Sequence, residues 1–385
     1  SMRHRPLLAA IAAASLRTLT EFNFQSLSMM AWAVAEVNWT DQPLIDALAA
    51  AAIPKLSDLS SEAEAPAVSL RCLARALAMA GLFEGQVFEE VALAFERLAL
   101  PLDGCRGRRS ADLDRLTLRG GTLEDWSQPC ILAARGEVAV LYKPPGWTAT
   151  TTEAEEGQAT AGEAAGGQAL HDEGRGKPLR RWLGTELGAA HRITSDASAQ
   201  CGLVNRLDVE TSGVLLWARS YRGYYQGQLC FLARRVLKEY VCLCCGFLDP
   251  SPGLLTAPLL TRRVSTGGLI TTASPSGRQA CTELIAVMHS TSPKGGAFSL
   301  VELRLHTGRT HQIRAHLRHV GHPLAGDPDY GGAAPSWCRR VFLHAHRLHL
   351  ALSGCGPVDV AVQLPPDLRS ALDGLGIVHH SRVDC

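Results

Sequence analysis

Hydrophobic and polar positions follow two different periods along this chain of 385 residues. Over residues 1–100, apolar side chains recur at three- and four-residue spacing, which predicts helices and almost no strand. The stretch "SLSMMAWAVAEV" from Ser26 matches "SLRCLARALAMA" from Ser69, and "PLIDALAAAA" from Pro43 echoes "PLLAAIAAAS" from Pro6. Such self-similarity suits stacked helix pairs, each burying its apolar stripe on the next. From Ile131 the pattern changes to short runs that predict strands: "EVAVLYKPPGW", "GVLLWARS", "KEYVCLCCGFL", "FSLVELRLH" and "VFLHAHRLHL". Helices are predicted for "PLRRWLGTEL", "YYQGQLCFLARRVL" and "QIRAHLRHV". Strands mixed with helices indicate an α+β domain over residues 131–385, preceded by an all-α segment (1–104) and a linker (105–130). Residues 151–177 are rich in Gly, Ala and Glu, the composition of a disordered insertion.

Composition changes this picture little. With 46% hydrophobic and 19% charged residues, the chain is ordinary for a soluble globular protein. Lys plus Arg (38) nearly balances Asp plus Glu (37), so no overall field attracts a polyanion. The distribution is less even. Residues 1–100 carry 7 basic against 11 acidic groups, whereas residues 301–350 carry 7 Arg against 3 acids and hold 8 of the 14 His. A polyanion would meet the C-terminal half first. The 12 cysteines are irregularly spaced in a long chain and suit a reducing compartment. No apolar run of membrane-spanning length occurs, so no membrane contact is expected. The opening "SMRHRPLLAAIAAASLR" has a basic region and then a short apolar one, but Ser1 is no initiator, which leaves it a weak sign of address.

Candidate chemistry begins with "NRLDVETSG" (residues 205–213). Read as a strand, it points Arg206 and Asp208 to the same side, where a guanidinium would keep a carboxylate ionised. That pair is either a structural ion pair or a carboxylate kept charged for reaction. Three further segments flank it in order. "YKPPGW" (Tyr142–Trp147) ends a strand in a turn, and "RRVLKEYVCLCCG" puts Lys238 and Tyr240 on one strand face. "LHTGRTHQIRAHLRHVGHPLAGDPDYGG" (Leu305–Gly332) supplies Arg309, His311, Gln312, Arg314, His316 and a Gly-Asp turn.

Taken together, the four segments, from about Glu137 to Leu350, resemble the RluA-type RNA pseudouridine synthases. The resemblance implies a pseudouridine synthase catalytic domain with a mixed, largely antiparallel sheet and an active cleft across it. It implies an isomerase acting on uridine in RNA, ribosomal or transfer, with no cofactor and no metal. Asp208 would be the nucleophile or general catalytic carboxylate. Arg314 would pair with it, and Tyr240 would stack on the uracil and serve in proton removal at C5. Arg206 would fill the gap left by the flipped base. Leu207 and Lys238 would line the substrate, and Lys143, Arg309, His311 and His316 would meet phosphates. A single carboxylate fits a rearrangement better than a glycoside hydrolysis, which needs two. The family usually has His where this chain has Asn205, and its frequent small N-terminal RNA-binding domain is replaced by the helical leader.

The stretch "FNFQSLSMMAWAVAEV", ending at Val37, resembles octotricopeptide-type repeats of organelle RNA-binding proteins. That likeness points to a plastid or mitochondrion, otherwise the cytoplasm; separately, a monomer is expected. A plain helical bundle is the competing reading. Two other functions stay open. One is an RNA-binding protein that keeps the cleft but not turnover, with Asn205 as its sign. The other is a metal-dependent hydrolase built on His344, His346 and His349, against which no nearby acid or Cys completes a ligand set.

Overall fold

In the computed structural model of the chain, residues 18–36, 42–56, 64–79, 86–103, 125–149, 176–264, 268–352 and 356–382 are described. The basic opening, the Pro6 copy of the helical echo, most of the connector and all but the end of the predicted insertion lie outside them. The chain divides into two compact units, residues 1–110 with 218–235, and residues 111–217 with 236–385.

The first unit holds helices α1 (Phe24–Glu36), α2 (Gln42–Leu56), α3 (Glu64–Met79) and α4 (Gln86–Asp103). α1 packs on α2 and α3 on α4, and α1 also meets α3 while α2 meets α4. Two helical hairpins therefore stack first on first and second on second, and the sequence copies from Ser26 and Ser69 fall on the facing first helices. Leu27, Ala31 and Val34 of α1 and Leu70, Leu73, Ala74 and Leu77 of α3 are buried, the three-and-four spacing of one apolar stripe.

Helix α5 (Leu179–Leu187) belongs to the second unit, but α6 (Tyr221–Leu232) returns to the first. The cause lies at its N-terminus, where backbone N–H groups lack helical partners and a negative charge is favoured. Asp103, at the end of α4, accepts from Tyr221 N at 2.7 Å and Arg222 N at 3.0 Å, and Ser220 Oγ accepts from Gly223 N at 3.1 Å. Phe95 stacks on Tyr225 with centroids 4.8 Å apart. The sequence groups α6 with its neighbours in the chain; packing groups it with α4.

The second unit is built on a ten-stranded sheet. Its early strands are β1 (Cys130–Arg135), β2 (Val138–Lys143) and β5 (Ser212–Ala218); the two-residue β3 (Trp147–Thr148) and β4 (Lys177–Pro178) pair separately. β6 (Val236–Cys245) and β7 (Leu254–Leu255) follow, then a small hairpin, β8 (Leu259–Arg263) with β9 (Leu269–Ala273). β10 (Thr282–Thr291), β11 (Ala297–Leu305), α7 (Gln312–His319), β12 (Leu343–Leu352), β13 (Gly356–Ala361), α8 (Pro366–Asp373) and β14 (Gly376–Arg382) complete it. The order is β1-β2-β5-β12-β6-β11-β10-β14, with β13 beside β12 and β7 beside β10. β5 and β12 run parallel, while the other registered pairs of this sheet are antiparallel, so it is mixed and largely antiparallel, as predicted.

β2 and β5 are buried along their whole length, which is why they read as continuous apolar runs. α8 closes part of the sheet, its Leu368 and Ala371 packing with Leu243, Phe298 and Phe342. Full burial of one such Leu or Phe contributes roughly 1.5–3 kcal/mol. Gly213 explains the end of "TSG". Its φ is +129°, and a Cβ there would collide with the carbonyl of Ala345 on β12. Only glycine lets the two parallel strands close at that point.

Candidate active site

Residues 205–211 form a loop leading into β5, not the strand that the alternation suggested. Asn205 Oδ1 accepts from the Leu216 backbone N–H at 2.8 Å, and Val204 N donates to Leu216 O at 3.1 Å, so the start of the loop is tied to β5. A turn closes its end, with Thr211 N donating to Asp208 O at 3.1 Å. Arg206 does not pair with Asp208. Its Nη2 donates to Thr310 Oγ1 at 3.0 Å across the mouth of the loop, and Leu207 is turned inward and buried.

Asp208 keeps 31% of its side chain exposed, and its Oδ2 lies 3.9 Å from Arg314 Nη1 and 3.9 Å from His311 Nε2. Arg314 projects from α7 and is 8% exposed, yet its strongest partner is not Asp208. Its Nε and Nη2 grip the two oxygens of fully buried Asp327, each at 2.7 Å, and Nη2 also reaches Asp329 at 3.0 Å. The guanidinium stacks over Tyr330, 4.6 Å from the ring centre. Burial opposes the charge, but the hydrogen bonds and charge of Asp327 outweigh it and raise the Arg314 pKa. The fork thus fixes one end of the guanidinium and leaves Nη1 turned to Asp208. The "GDPDY" turn supplies Asp327, Asp329 and Tyr330; of these, the sequence offered only the Gly-Asp turn.

Tyr240 lies on β6, opposite Ala345 of β12 and Leu303 of β11, and is 7% exposed. Burial first, and the negative charge of Asp208 second, push its phenol pKa up. The ring carries a protonated hydroxyl at neutral pH and is not a resting phenolate base. Lys238, half-buried on the same strand face, brings its ammonium close to Gly308. Arg309 Nε donates to Gln279 O at 3.0 Å at the surface.

Two expected phosphate contacts are structural instead. Lys143 is fully buried, and its Nζ donates to the carbonyls of Pro144 (2.9 Å), Trp147 (2.8 Å) and Val209 (3.0 Å). Burial pulls its pKa down to about 7, with the Asp208 carboxylate acting the other way. Since Val209 follows Asp208 directly, this lysine ties the Pro-Pro-Gly turn to the Asp208 loop. Replacing it by Met strips donors from buried carbonyls and is expected to cost roughly 2–4 kcal/mol. Urea unfolding measures that loss; an unchanged midpoint would mean that the three contacts carry no stability.

His316 is also buried. Its Nε2 lies 2.9 Å from Ala257 O, so it carries the proton, and Nδ1 accepts from Thr282 Oγ1 at 2.9 Å. Thr282 in turn accepts from Gln312 Nε2 at 2.9 Å, while Gln312 Oε1 accepts from Thr307 and from Arg309 N. Gln312 and His316, four residues apart, face inward and anchor α7. His311 sits before α7 in the left-handed region (φ 50°) and faces Asp208, not a phosphate channel.

The three histidines of "HAHRLH" do not converge. His344 is buried against Ser212 Oγ (2.9 Å), with burial taking its pKa to about 3. His346 lies beside Glu302 (3.3 Å) and His349 beside Asp359 (3.5 Å). Strand pairing does bring Glu239 and Glu302 to His346, within 4.8 Å of one another, a cluster hidden in the sequence. Arg304 and Arg347 already hold the two Glu239 oxygens at 2.8 and 3.3 Å, so the cluster is poorly suited to a cation. No described helix is long and apolar enough to cross a membrane.

Residues 137–319 match the family model described as RNA pseudouridylate synthase. An uncharacterized RNA pseudouridine synthase of Mycobacterium bovis is 38% identical over 197 residues, covering 49% of this chain and 61% of that protein. An uncharacterized RNA pseudouridine synthase of Zymomonas mobilis is 34% identical over 166 residues, 42% of this chain and 73% of that protein. Ribosomal large subunit pseudouridine synthase D of Nitrosomonas europaea is 31% identical over 213 residues, 52% of this chain and 60% of that protein. This chain therefore spans only 61% and 60% of the first and third of these relatives.

Proposed function

This chain belongs to the RNA pseudouridylate synthase family, and on that premise we propose that it isomerises uridine to pseudouridine in an RNA substrate. In that reaction the N1–C1′ bond breaks, the base turns, C5 joins C1′, the C5 proton leaves and N1 gains one. Nothing is oxidised or reduced.

One observation carries the reading: a part-exposed carboxylate, Asp208, faced by a guanidinium that other acids already hold in place. Asp208 attacks or stabilises C1′ as the base departs. Arg314 Nη1 orients it. The protonated Tyr240 offers a ring face to the uracil, and the C5 proton leaves to water. Arg206, with Leu207 behind it, releases Thr310 to enter the space of the extruded nucleotide. Lys238 and Arg309 meet the backbone phosphates. Asn205 does the scaffolding that its Leu216 bond shows, which a neutral imidazole nitrogen could also do. Its place in the loop is therefore compatible with turnover.

The substrate we propose is a folded ribosomal or transfer RNA, the Nitrosomonas relative being named for the large ribosomal subunit. The stacked helices of the first unit we take to be octotricopeptide-like repeats that contact RNA, in an organelle and in a monomeric protein. Carbodiimide mapping of transcripts treated with the full chain tests the reading. New stops at defined uridines are expected; tight RNA binding with no stops would instead identify a binding protein.

A further inference from the structure

Beside Asp208 lies an arrangement that the isomerisation itself does not use. Tyr330 is buried, and its oxygen accepts the Thr271 N–H at 2.9 Å. The same oxygen lies 2.9 Å from His311 Nδ1, while His311 Nε2 faces Asp208 Oδ2 at 3.9 Å. Two tautomers of His311 are possible. With the proton on Nδ1, the Tyr330 oxygen would receive two N–H groups while its own proton sought another acceptor, and the Nε2 lone pair would oppose a carboxylate. With the proton on Nε2, the phenol donates to Nδ1 and every group meets its complement.

From this geometry we infer that Tyr330 locks His311 in the neutral Nε2–H tautomer, and that His311 is a positioning residue whose Nε2–H is aimed at Oδ2 of the reacting carboxylate. The inference rests on the isomerase reading for its consequence, although not for the tautomer itself. Oδ2 then faces two N–H groups from 3.9 Å, the cationic Nη1–H of Arg314 and the neutral Nε2–H of His311, a separation that sets its orientation electrostatically and not by a formed hydrogen bond. The groups facing His311 are Asp208, Arg314, Asp327, Asp329 and Tyr330, and among them burial dominates and lowers the imidazole pKa. A neutral imidazole suits the task, because it aims a donor without adding a second full charge to hold the nucleophile back. Burial, ahead of the other influences, raises the Tyr330 phenol pKa, which keeps its proton available for Nδ1. The left-handed backbone of His311 turns the ring between these partners.

Nitrogen-15 spectroscopy of the histidine-labelled full chain reads the tautomer directly, with His311→Gln assigning the signal. The expected result is a protonated Nε2 in the parent protein and a mixture, or a protonated Nδ1, in Tyr330→Phe. In the same variant kcat is expected to fall about tenfold with KM unchanged, the worth of one aligned hydrogen bond. His311→Gln keeps a donor at the Nε2 position and should retain most of the turnover that His311→Phe loses. A protonated Nδ1 in the parent, or an undisturbed Nε2–H in Tyr330→Phe, overturns the lock. Equal turnover in His311→Phe and the parent overturns the positioning role. A parent with the Nε2–H tautomer and no turnover refutes the isomerase reading and leaves the lock standing.

Discussion

Asp208→Asn is expected to abolish turnover on RNA, a loss on the order of 10⁴-fold or more in kcat, with fold and RNA binding retained. Asparagine keeps the shape and the turn, so Thr211 N can still bond the backbone carbonyl of residue 208. The amide has neither the charge nor the nucleophilicity to engage C1′ as the base leaves. Ordinarily, deleting a carboxylate beside a buried guanidinium would also cost stability. Here it should not, because Arg314 rests on Asp327 and Asp329 and meets Asp208 only at 3.9 Å. Nucleoside analysis of digested RNA, beside filter binding and thermal unfolding, measures all three quantities. Turnover within tenfold of the parent would remove Asp208 from the chemistry.

Asp327→Ala should have the opposite profile, a large loss of stability. It leaves the Arg314 charge buried with only the exposed Asp329 as a close partner. Breaking a buried pair from one side costs about 3–5 kcal/mol, most of it the penalty of the uncompensated charge. Adding Arg314→Met to Asp327→Ala removes that charge and should restore much of the lost stability without restoring turnover. Urea midpoints of the two variants decide the matter. If the double variant is no more stable than the single one, the uncompensated Arg314 charge is not the source of the loss.

What the chain revealed in sequence follows from how local each interaction is. The Asp208 segment and the "HQIR" segment were legible because each is contiguous and rich in unusual neighbours. The sheet was recognisable in outline because β2 and β5 are continuous apolar runs. Arg314 does face Asp208, but its closer partner, Asp327, was missed for a physical reason. A guanidinium meets whichever carboxylate arrives with fork geometry, and Asp327 arrives from a turn beyond the end of α7. Lys143 was misread because a lysine before a Pro-Pro-Gly turn looks solvent-facing until three carbonyls converge on it. His316 could have been placed correctly, since its four-residue spacing from Gln312 puts both on the inward side of α7. The parallel closure of β5 on β12 joins residues far apart in the chain. Nothing in local periodicity predicts it; Gly213 is its only trace.

An isomerase of this kind moves the glycosidic bond of a uracil from N1 to C5 within one nucleotide. Tritium release from RNA labelled at C5 of uridine, with the base products analysed in parallel, measures that event most directly. Tritium should enter water in step with pseudouridine, with no free uracil and no abasic sites. Free uracil without pseudouridine would make the protein a hydrolase, and neither product from RNA that it binds tightly would make it no isomerase at all.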